Sequence, residues 1–335
     1  MASAATPALQ SVRRLAVPPG WRDVGQTYGA LLALLVLLIY NALFTRNFLT
    51  TQTLNVNLTQ VATIVICATG MTLVIATGGI DLSVPSMMAI SGALAPLIFL
   101  SKTGPFSDPI IGVTAAFILP LLVTTGLGLF NGSLVAGLRI QPIIATLVLF
   151  IAGRGIAQVL TNGNLQTFRN PGFQYIGLGR PFEIPFQALL MLAIVLIAWW
   201  VMSRTTFGRY VLAVGGNENA ARLAGVPVGR VKLGVYAISG LLAGIAGFIV
   251  IAINSSSDAN LVGVNMELDA IAATAVGGTP LTGGRATVIG TLIGALIMQL
   301  IRFTLLAHGI PDAVALTVKA AIIIAAVYLQ RPRSS

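Results

Sequence analysis

The chain has 335 residues, of which 56% are hydrophobic and 8% are charged, and its formal net charge is +10. A soluble domain carries about 25% charged residues and could not bury this much apolar surface, so the composition predicts a membrane protein. This excludes a soluble enzyme, a secreted disulfide scaffold and a nucleic-acid-binding protein. The single cysteine, Cys67, permits no internal disulfide and no cysteine metal cluster.

The chain begins with a polar segment that contains two arginines and a Pro-Pro pair. The apolar run that follows does not end in a convincing small-residue cleavage site, so we predict that it stays as a membrane anchor. The predicted organisation is a cytoplasmic tail at 1–26, disordered over 1–20, a membrane domain at 27–330 and a second cytoplasmic tail at 331–335.

A helix that crosses a bilayer needs about 20 apolar residues, with a usual range of roughly 17–25. Ten apolar segments predict an all-α, polytopic bundle of about ten transmembrane helices. The eighth segment is too short to cross alone, which indicates a half-helix or part of a re-entrant segment. The ten segments are Tyr28–Phe44, Leu54–Ala76, Leu82–Leu100, Pro109–Leu138, Pro142–Leu160, Phe186–Met202, Val231–Ile253, Leu268–Val276, Ala286–Leu306 and Pro311–Leu329.

The basic residues fall mainly in alternate loops. With the N-terminus placed inside, twelve of the 19 basic residues lie on the cytoplasmic side and four in outer loops. This positive-inside bias predicts an even number of spans and two cytoplasmic termini. The inner set is Arg13, Arg14, Arg22, Arg139, Arg204, Arg209, Arg222, Arg230, Lys232, Arg285, Arg331 and Arg333. The outer set is Arg46, Lys102, Arg169 and Arg180. Arg154, Arg302 and Lys319 lie within spans.

Two predicted loops are longer than the others, the outer segment 161–185 and the cytoplasmic segment 203–230. In the second, an asparagine is a good N-cap, the residues after it favour a helix, and a glycine ends the helix. From the residues alone, this short helix either only joins two spans or also contacts a partner. It covers Asn217, Glu218, Asn219, Ala220, Ala221, Arg222, Leu223, Ala224 and Gly225.

Two segments share the pattern A-x-G-G-x-x-L-[S/T], at residues 76–83 and 275–282. Glycine pairs break helices or allow close backbone approach, and such breaks in the two halves of a transporter often mark its pathway. The predicted topology places both copies at the cytoplasmic face, in a parallel relation; chance similarity is the alternative. Two G-x-x-x-G pairs, which start at Gly240 and Gly290, predict close helix packing.

The sequence lacks the common catalytic motifs. The single histidine, His308, cannot form a histidine metal site, and no lysine follows a glycine as a phosphate-binding loop requires. The chain therefore has no such route to ATP hydrolysis, and we expect no cofactor on it. Ionisable residues in spans are costly. Arg154 and Lys319 either pair with carboxylates or belong to a transport route, and the sequence assigns them no partner.

Longer motifs resemble one known family. Gly70–Val84, with the sequence GMTLVIATGGIDLSV, resembles the signature of the ribose-type permeases of sugar ABC importers, and so does Glu267–Ala272 followed by Val276–Thr279. Arg139–Leu147 is especially similar to one permease of bacterial galactofuranose importers. Pro85 departs from the family, which usually has glycine there, and this leaves the local helix start open.

The resemblance implies a type II ABC importer permease in the bacterial inner membrane. Such importers combine two permeases, as a homodimer or a heterodimer, with two ATPase subunits that bind Mg-ATP and a periplasmic sugar-binding protein. The helix at 217–225 would then be the coupling helix that seats in a groove of the ATPase. The chain itself would be a transport subunit surrounded by lipid, not an enzyme.

A sugar path needs polar partners for hydroxyl groups and aromatic rings for CH faces. Residues of these types near span ends or glycine breaks are the pathway candidates, and each also fits helix packing or capping. Two other functions stay open: a permease of the same family for another solute, and a secondary carrier or channel that needs no ATPase. The pathway candidates are Asp81, Ser83, Asn131, Phe150, Asn254 and Asp258.

Overall fold

The computed structural model describes the backbone of residues 21–330, and the side chains of 29–311 with part of the last helix. This part of the chain contains thirteen α-helices and one pair of two-residue strands. The helices are α1 (Trp21–Phe44), α2 (Thr51–Ala76), α3 (Val84–Phe99), α4 (Pro109–Ala136), α5 (Pro142–Leu160), α6 (Pro171–Leu178), α7 (Phe186–Arg204), α8 (Thr206–Gly216), α9 (Glu218–Leu223), α10 (Val228–Asn254), α11 (Met266–Val276), α12 (Val288–Ala307) and α13 (Asp312–Gln330). The antiparallel strands are β1 (Gln166–Thr167) and β2 (Ser256–Ser257).

Ten of these helices coincide with the ten predicted spans, namely α1 to α5, α7 and α10 to α13. Within the described residues, six are long and apolar enough to cross a membrane: α2, α4, α5, α7, α10 and α12. α11 has 11 residues, which correspond to about 16 Å of helix. The predicted all-α membrane bundle and its short eighth segment are confirmed.

Three local features differ from the sequence prediction. α1 begins at Trp21, inside the segment 1–26 predicted as a tail, because its helical backbone continues beyond the apolar run. The predicted loop 161–185 contains α6, which Asn170 caps by accepting a hydrogen bond from Phe173 N at 3.1 Å. The segment 203–230 contains two helices, α8 and α9, where one was predicted. Residues 1–20 and 331–335 of the predicted tails lie outside the described residues.

α2 is the central helix of the bundle. Every residue from Val61 to Ala76 is buried, and α7, α10, α11 and α12 all pack against the helix. These four helices enclose α2, whereas α3, α4 and α5 pack on one another, with α3 and α4 also against α10.

Glycines allow the closest helix contacts. Gly240 and Gly244 of α10 lie against Thr124 of α4, where a Cβ on Gly244 would be 2.5 Å from Thr124 Oγ1. A Cβ on Gly290 would overlap the carbonyl oxygen of Gly277, which follows α11, and a Cβ on Gly294 would overlap that of Ala273 in α11. Small residues at such positions let membrane helices approach each other directly. The packing predicted for both G-x-x-x-G pairs is confirmed.

The outer surface of the bundle is largely apolar. α4, α5 and α7 expose large side chains such as Leu122, Ile151, Ile197 and Trp200. In water these faces would be aggregation-prone patches, whereas in a bilayer the hydrocarbon chains cover them. The exposed faces therefore fit lipid or a second membrane subunit.

Candidate coupling and transport sites

The segment between α7 and α10 is built from two capped helices. Thr205 Oγ1 accepts a hydrogen bond from Gly208 N at 3.3 Å at the start of α8. Asn217 Oδ1 accepts one from Ala220 N at 3.0 Å at the start of α9. Gly225 has a φ of +81° and ends the turn after α9, a conformation that glycine adopts at low cost. The short helix predicted at 217–225 is present as α9.

Glu218 is the charged centre of α9. Its Oε1 lies 3.0 Å from Arg222 Nη2, and its Oε2 lies 2.7 Å from Nζ of Lys232 in α10. The hydrogen bond from Lys232 is the main reason that the pKa of Glu218 lies below its ordinary value of 4.5, and partial burial opposes this shift. Glu218 therefore carries its charge at neutral pH and links α9 to α10.

α9 has one packed side and one free side. Ala221 is 5% exposed and faces the bundle, whereas Leu223 is 90% exposed at the end of the helix. Asn219, Ala220 and Ala224 are also exposed. The free side thus combines short side chains with the exposed guanidinium group of Arg222 and the apolar side chain of Leu223.

The two copies of the A-x-G-G pattern lie side by side: a Cβ on Gly78 of the first copy would be 3.7 Å from Thr282 O of the second. Gly284 N donates a hydrogen bond to Ala76 O at 3.0 Å. A Cβ on Gly215, near the end of α8, would overlap Ala76 O and come within 2.5 Å of Gly284 N. Both copies therefore lie at one end of the bundle, and the prediction that this end is cytoplasmic stays a prediction. The segment that carries α9 rests directly on both turns.

Three predicted pathway residues form one cluster that is completely buried. Asp81, Ser83 and Asn131 are each 0% exposed. Asp81 Oδ1 accepts from Ser83 Oγ at 2.5 Å, and its Oδ2 accepts from Ser239 Oγ of α10 at 2.7 Å. Asn131 Nδ2 of α4 donates to Ser83 Oγ at 2.8 Å. In this arrangement the cluster joins the α2–α3 turn to α4 and α10, and a role in sugar contact stays a prediction.

The other three pathway candidates lie elsewhere in the bundle. Phe150 is half-buried on α5, and Asn254 is exposed at the end of α10. Asp258 Oδ1 accepts hydrogen bonds from Asn260 N at 2.8 Å and Asn260 Nδ2 at 2.9 Å. Within the described residues, no hydrogen bond joins these three side chains to the Asp81 cluster. Their roles in the pathway also stay predictions.

Residues 258–265, between β2 and α11, form a non-regular segment that enters the bundle; we call it the re-entrant segment. Gly263, with a φ of +75°, packs against the start of α3. A Cβ there would be 3.0 Å from Met88 Cβ and 3.1 Å from Pro85 Cα. Pro85 lies in the first turn of α3, a position that proline tolerates, so the helix start left open by the sequence is at Val84.

Arg154 holds the re-entrant segment from α5. Its Nη1 donates to Ala259 O at 2.8 Å and to Val262 O at 2.7 Å. One helical turn further along α5, Gln158 Nε2 donates to Asn260 Oδ1 at 2.8 Å. Among the described residues, the hydrogen-bond partners of Arg154 are thus backbone carbonyl groups rather than a paired carboxylate. The side chain of Lys319 lies outside the described ones.

Several side-chain contacts of these sites could not be predicted from the sequence. Lys232 is fourteen residues from Glu218 and Ser239 is far from Asp81, so no local spacing indicates either pair. Among these missed contacts, only those of Arg154 and Gln158 had a local signal, because their i, i+4 spacing places both residues on one side of a helix. In the described part of the chain, no group of three or more His, Cys, Asp or Glu side chains could hold a metal ion.

Comparison with known proteins identifies similar chains over most of the length. Residues 53–327 match the family described as branched-chain amino acid transport system / permease component. The chain is 40% identical over 308 residues to the ribose import permease protein RbsC of Escherichia coli K12, covering 91% of this chain and 93% of that one. It is 40% identical over 278 residues to the galactofuranose transporter permease protein YtfT of the same strain, covering 82% and 79%. It is 32% identical to the L-arabinose ABC transporter permease protein AraH of Azospirillum brasilense, covering 93% and 89%. No solved structure matches this chain.

Proposed function

Because this chain belongs to the family of permease components of the branched-chain amino acid transport type, we propose that it is the transmembrane permease subunit of an ATP-driven sugar importer. The observation that carries this proposal is the 40% identity to a ribose import permease over 91% of the chain. The protein would lie in the bacterial inner membrane with both termini in the cytoplasm, as the positive-inside bias supports.

This chain would supply part of the translocation path for the sugar, and other subunits would supply the energy. Two ATPase subunits with Mg-ATP would bind at the α9 end, a second permease would complete the path, and a periplasmic protein would deliver the sugar. α9 supports this division because it is short, capped and ion-paired to α10. A partner that moves α9 would therefore also move a long helix of the bundle.

The proposed substrate is a monosaccharide, either galactofuranose or a related pentose or hexose. The galactofuranose and ribose permeases are equally similar to this chain at 40% identity. The overall sequence identity to these relatives therefore does not indicate whether the substrate is a hexose or a pentose. A substrate from another class, carried by a permease of the same family, is the alternative that the experiment below also tests.

The experiment is reconstitution of the permease in vesicles with the ATPase, second permease and binding protein from its neighbouring genes. We expect ATP-dependent uptake of one radiolabelled sugar among ribose, galactofuranose, arabinose and fructose, and stimulation of ATP hydrolysis by the loaded binding protein. Uptake without the ATPase would instead identify a secondary carrier. A complex that hydrolyses ATP but carries none of these sugars would contradict the proposed substrate class.

A further inference from the structure

The α2–α3 turn (residues 77–83) is held from two sides by helices that connect to α9. From one side, α8 packs on the last carbonyl group of α2, so closely that a Cβ on Gly215 would overlap Ala76 O. From the other side, Ser239 Oγ of α10 donates to Asp81 Oδ2 at 2.7 Å, and α10 is also the helix to which α9 is ion-paired. The two connections from α9 into the bundle therefore meet at this turn.

Tyr236 of α10 lies against the same turn. Its side chain is 1% exposed, and it stands three residues before Ser239, on the same side of the helix. A Cβ on Gly79 would be 2.6 Å from Tyr236 Oη, and a Cβ on Gly132 of α4 would be 3.3 Å from Tyr236 Cβ. The side chain therefore extends from α4 to the α2–α3 turn, and its hydroxyl group lies at the glycine pair of that turn.

The hydroxyl group of Tyr236 has no hydrogen-bond partner among the described residues. A buried polar group that stays unpaired is unfavourable, and nearly all buried polar groups in proteins are paired. A phenylalanine would fill the same space without this cost. The turn beside Tyr236 contains hydrogen-bond acceptors, namely its backbone carbonyl groups and the carboxylate of Asp81, which is two residues after Gly79. The unpaired donor therefore lies next to a segment that offers acceptors.

We propose that Tyr236 is a positioning residue of the transport cycle, whose hydroxyl group is unpaired in the present conformation and donates to the α2–α3 turn in a second one. The spacing favours Asp81 as the acceptor, because Ser239 and Tyr236 are separated by about 4.5 Å along α10. A shift of the turn by this distance replaces the donor Ser239 with the donor Tyr236, so the buried carboxylate is paired in both conformations. This inference rests on the proposed function as an ATP-driven permease and extends it by naming a residue that the conformational change uses.

The surroundings of Tyr236 connect this exchange of donors to α9. Lys232, one helical turn before Tyr236 on α10, lies 2.7 Å from Glu218 of α9. A displacement of α9 therefore displaces α10 relative to the turn. Gly128 and Gly132 of α4 present backbone rather than side chains to this part of α10, because a Cβ on Gly128 would overlap Tyr236 O. Movement along the axis of α10 is thus not blocked by interlocked side chains at these two positions.

The test uses the complete reconstituted importer and the sugar that the wild-type protein carries. Tyr236→Phe keeps the ring and removes only the hydroxyl group, and Tyr175→Phe, the same change at an exposed tyrosine of α6, is the matched control. For Tyr236→Phe we expect the maximal rate of sugar-stimulated ATP hydrolysis to fall about fivefold, as for the loss of one hydrogen bond in the second conformation. The melting temperature of the complex without nucleotide should equal that of the wild type or exceed it, because an unpaired buried group has been removed.

Hydrogen exchange of the turn gives a second readout. Trapping the wild-type complex with a non-hydrolysable ATP analogue should change the exchange rates of the backbone amides at 77–83. The change should be smaller in Tyr236→Phe, because this variant lacks the donor that holds the turn in the second conformation. Unchanged exchange in the trapped wild type would overturn the proposal.

The remaining outcomes separate this proposal from a structural role and from failure of the proposed function. A lower melting temperature for Tyr236→Phe would show that the hydroxyl group stabilises the present conformation, and this would overturn the proposal. An unchanged rate of hydrolysis, or an equal fall in Tyr175→Phe, would also overturn it. With an active wild type these results leave the proposed function intact, whereas a wild-type complex that carries no sugar would overturn the proposed function and this inference with it.

Discussion

Lys232 Nζ lies 2.7 Å from Glu218 Oε2, so a single ion pair joins the short helix α9 to the long helix α10. The side chain of Lys232 is only 14% exposed, whereas that of Glu218 is 40% exposed. The lysine thus extends from the bundle toward the surface helix. A displacement of α9 is therefore transmitted to α10 through this ion pair as well as through the chain that connects the two helices.

Removal of both ion pairs of α9 should weaken coupling to the ATPase. For Glu218→Ala combined with Arg222→Ala, we expect sugar-stimulated ATP hydrolysis in vesicles to fall about threefold to fivefold, because partly exposed pairs contribute up to about 1 kcal/mol. Assembly should be retained, since the backbone of α9 keeps its Asn217 cap. Arg209→Ala is the control. Normal stimulation in the double variant would contradict the coupling role of α9.

The Glu218 pairs should respond to pH in one direction only. The hydrogen bond from Lys232 lowers the pKa of Glu218. A carboxyl group with a lowered pKa in the folded state stabilises the fold above its unfolded pKa, and this contribution is lost as the pH falls through the folded value. The melting temperature of wild-type protein should thus exceed that of Glu218→Gln at neutral pH. The difference should shrink as the pH falls below 4.5, the ordinary pKa of glutamate, and a difference that stayed the same about two pH units below that value would contradict this prediction.

The exposed tip of α9 should contribute to ATPase binding. Leu223 is 90% exposed, and burial of a leucine side chain in a partner groove contributes about 1.5–3 kcal/mol. We expect Leu223→Ser to weaken retention of the ATPase subunit at least about tenfold in a binding assay. Leu165→Ser is the matched control, because Leu165 is 57% exposed in the loop after α5, away from α9. Equal retention by both variants would exclude Leu223 from the interface.

The contact between α8 and the two glycine turns should tolerate no side chain. A Cβ on Gly215 would overlap Ala76 O, whereas a Cβ on Gly216 would have nothing within 4 Å. We expect Gly215→Ala to lower the free energy of unfolding by about 1–3 kcal/mol, the usual cost of overpacking. Gly216→Ala is the matched control and should unfold like the wild type. Thermal unfolding in detergent measures both, and equal stability of the two variants would contradict this contact.

The Asp81 cluster should contribute to stability through its hydroxyl donors. Ser239→Ala removes the donor to Asp81 Oδ2, which is buried. We expect a loss of about 1–3 kcal/mol, because the acceptor is left unsatisfied. The control is Ser133→Ala, since Ser133 is exposed and its hydroxyl group donates to the nearby Phe130 O. If Ser239→Ala melted at the control temperature, the cluster would not be a stabilising contact between α10 and the α2–α3 turn.

The spans and α9 could be predicted because their signals are local. The apolar runs give ten helices in the predicted places, and Asn217 with Gly225 marks the ends of the short helix. α8 was missed because Gly215 and Gly216 indicate a break, whereas the structure keeps them helical and uses Gly215 for a close backbone contact. α6 was missed because a helix of eight residues has no long apolar period.

The sequence by itself determined that this protein is an all-α membrane bundle, where its helices lie along the chain and where its backbone breaks. Hydropathy, helix caps and glycine pairs act over a few residues, so the order of the residues is enough to find them. Only the tertiary structure decided which groups meet. The partners of Asp81, Glu218 and Arg154 come from helices that are far away in sequence, and packing rather than spacing places them within hydrogen-bond distance.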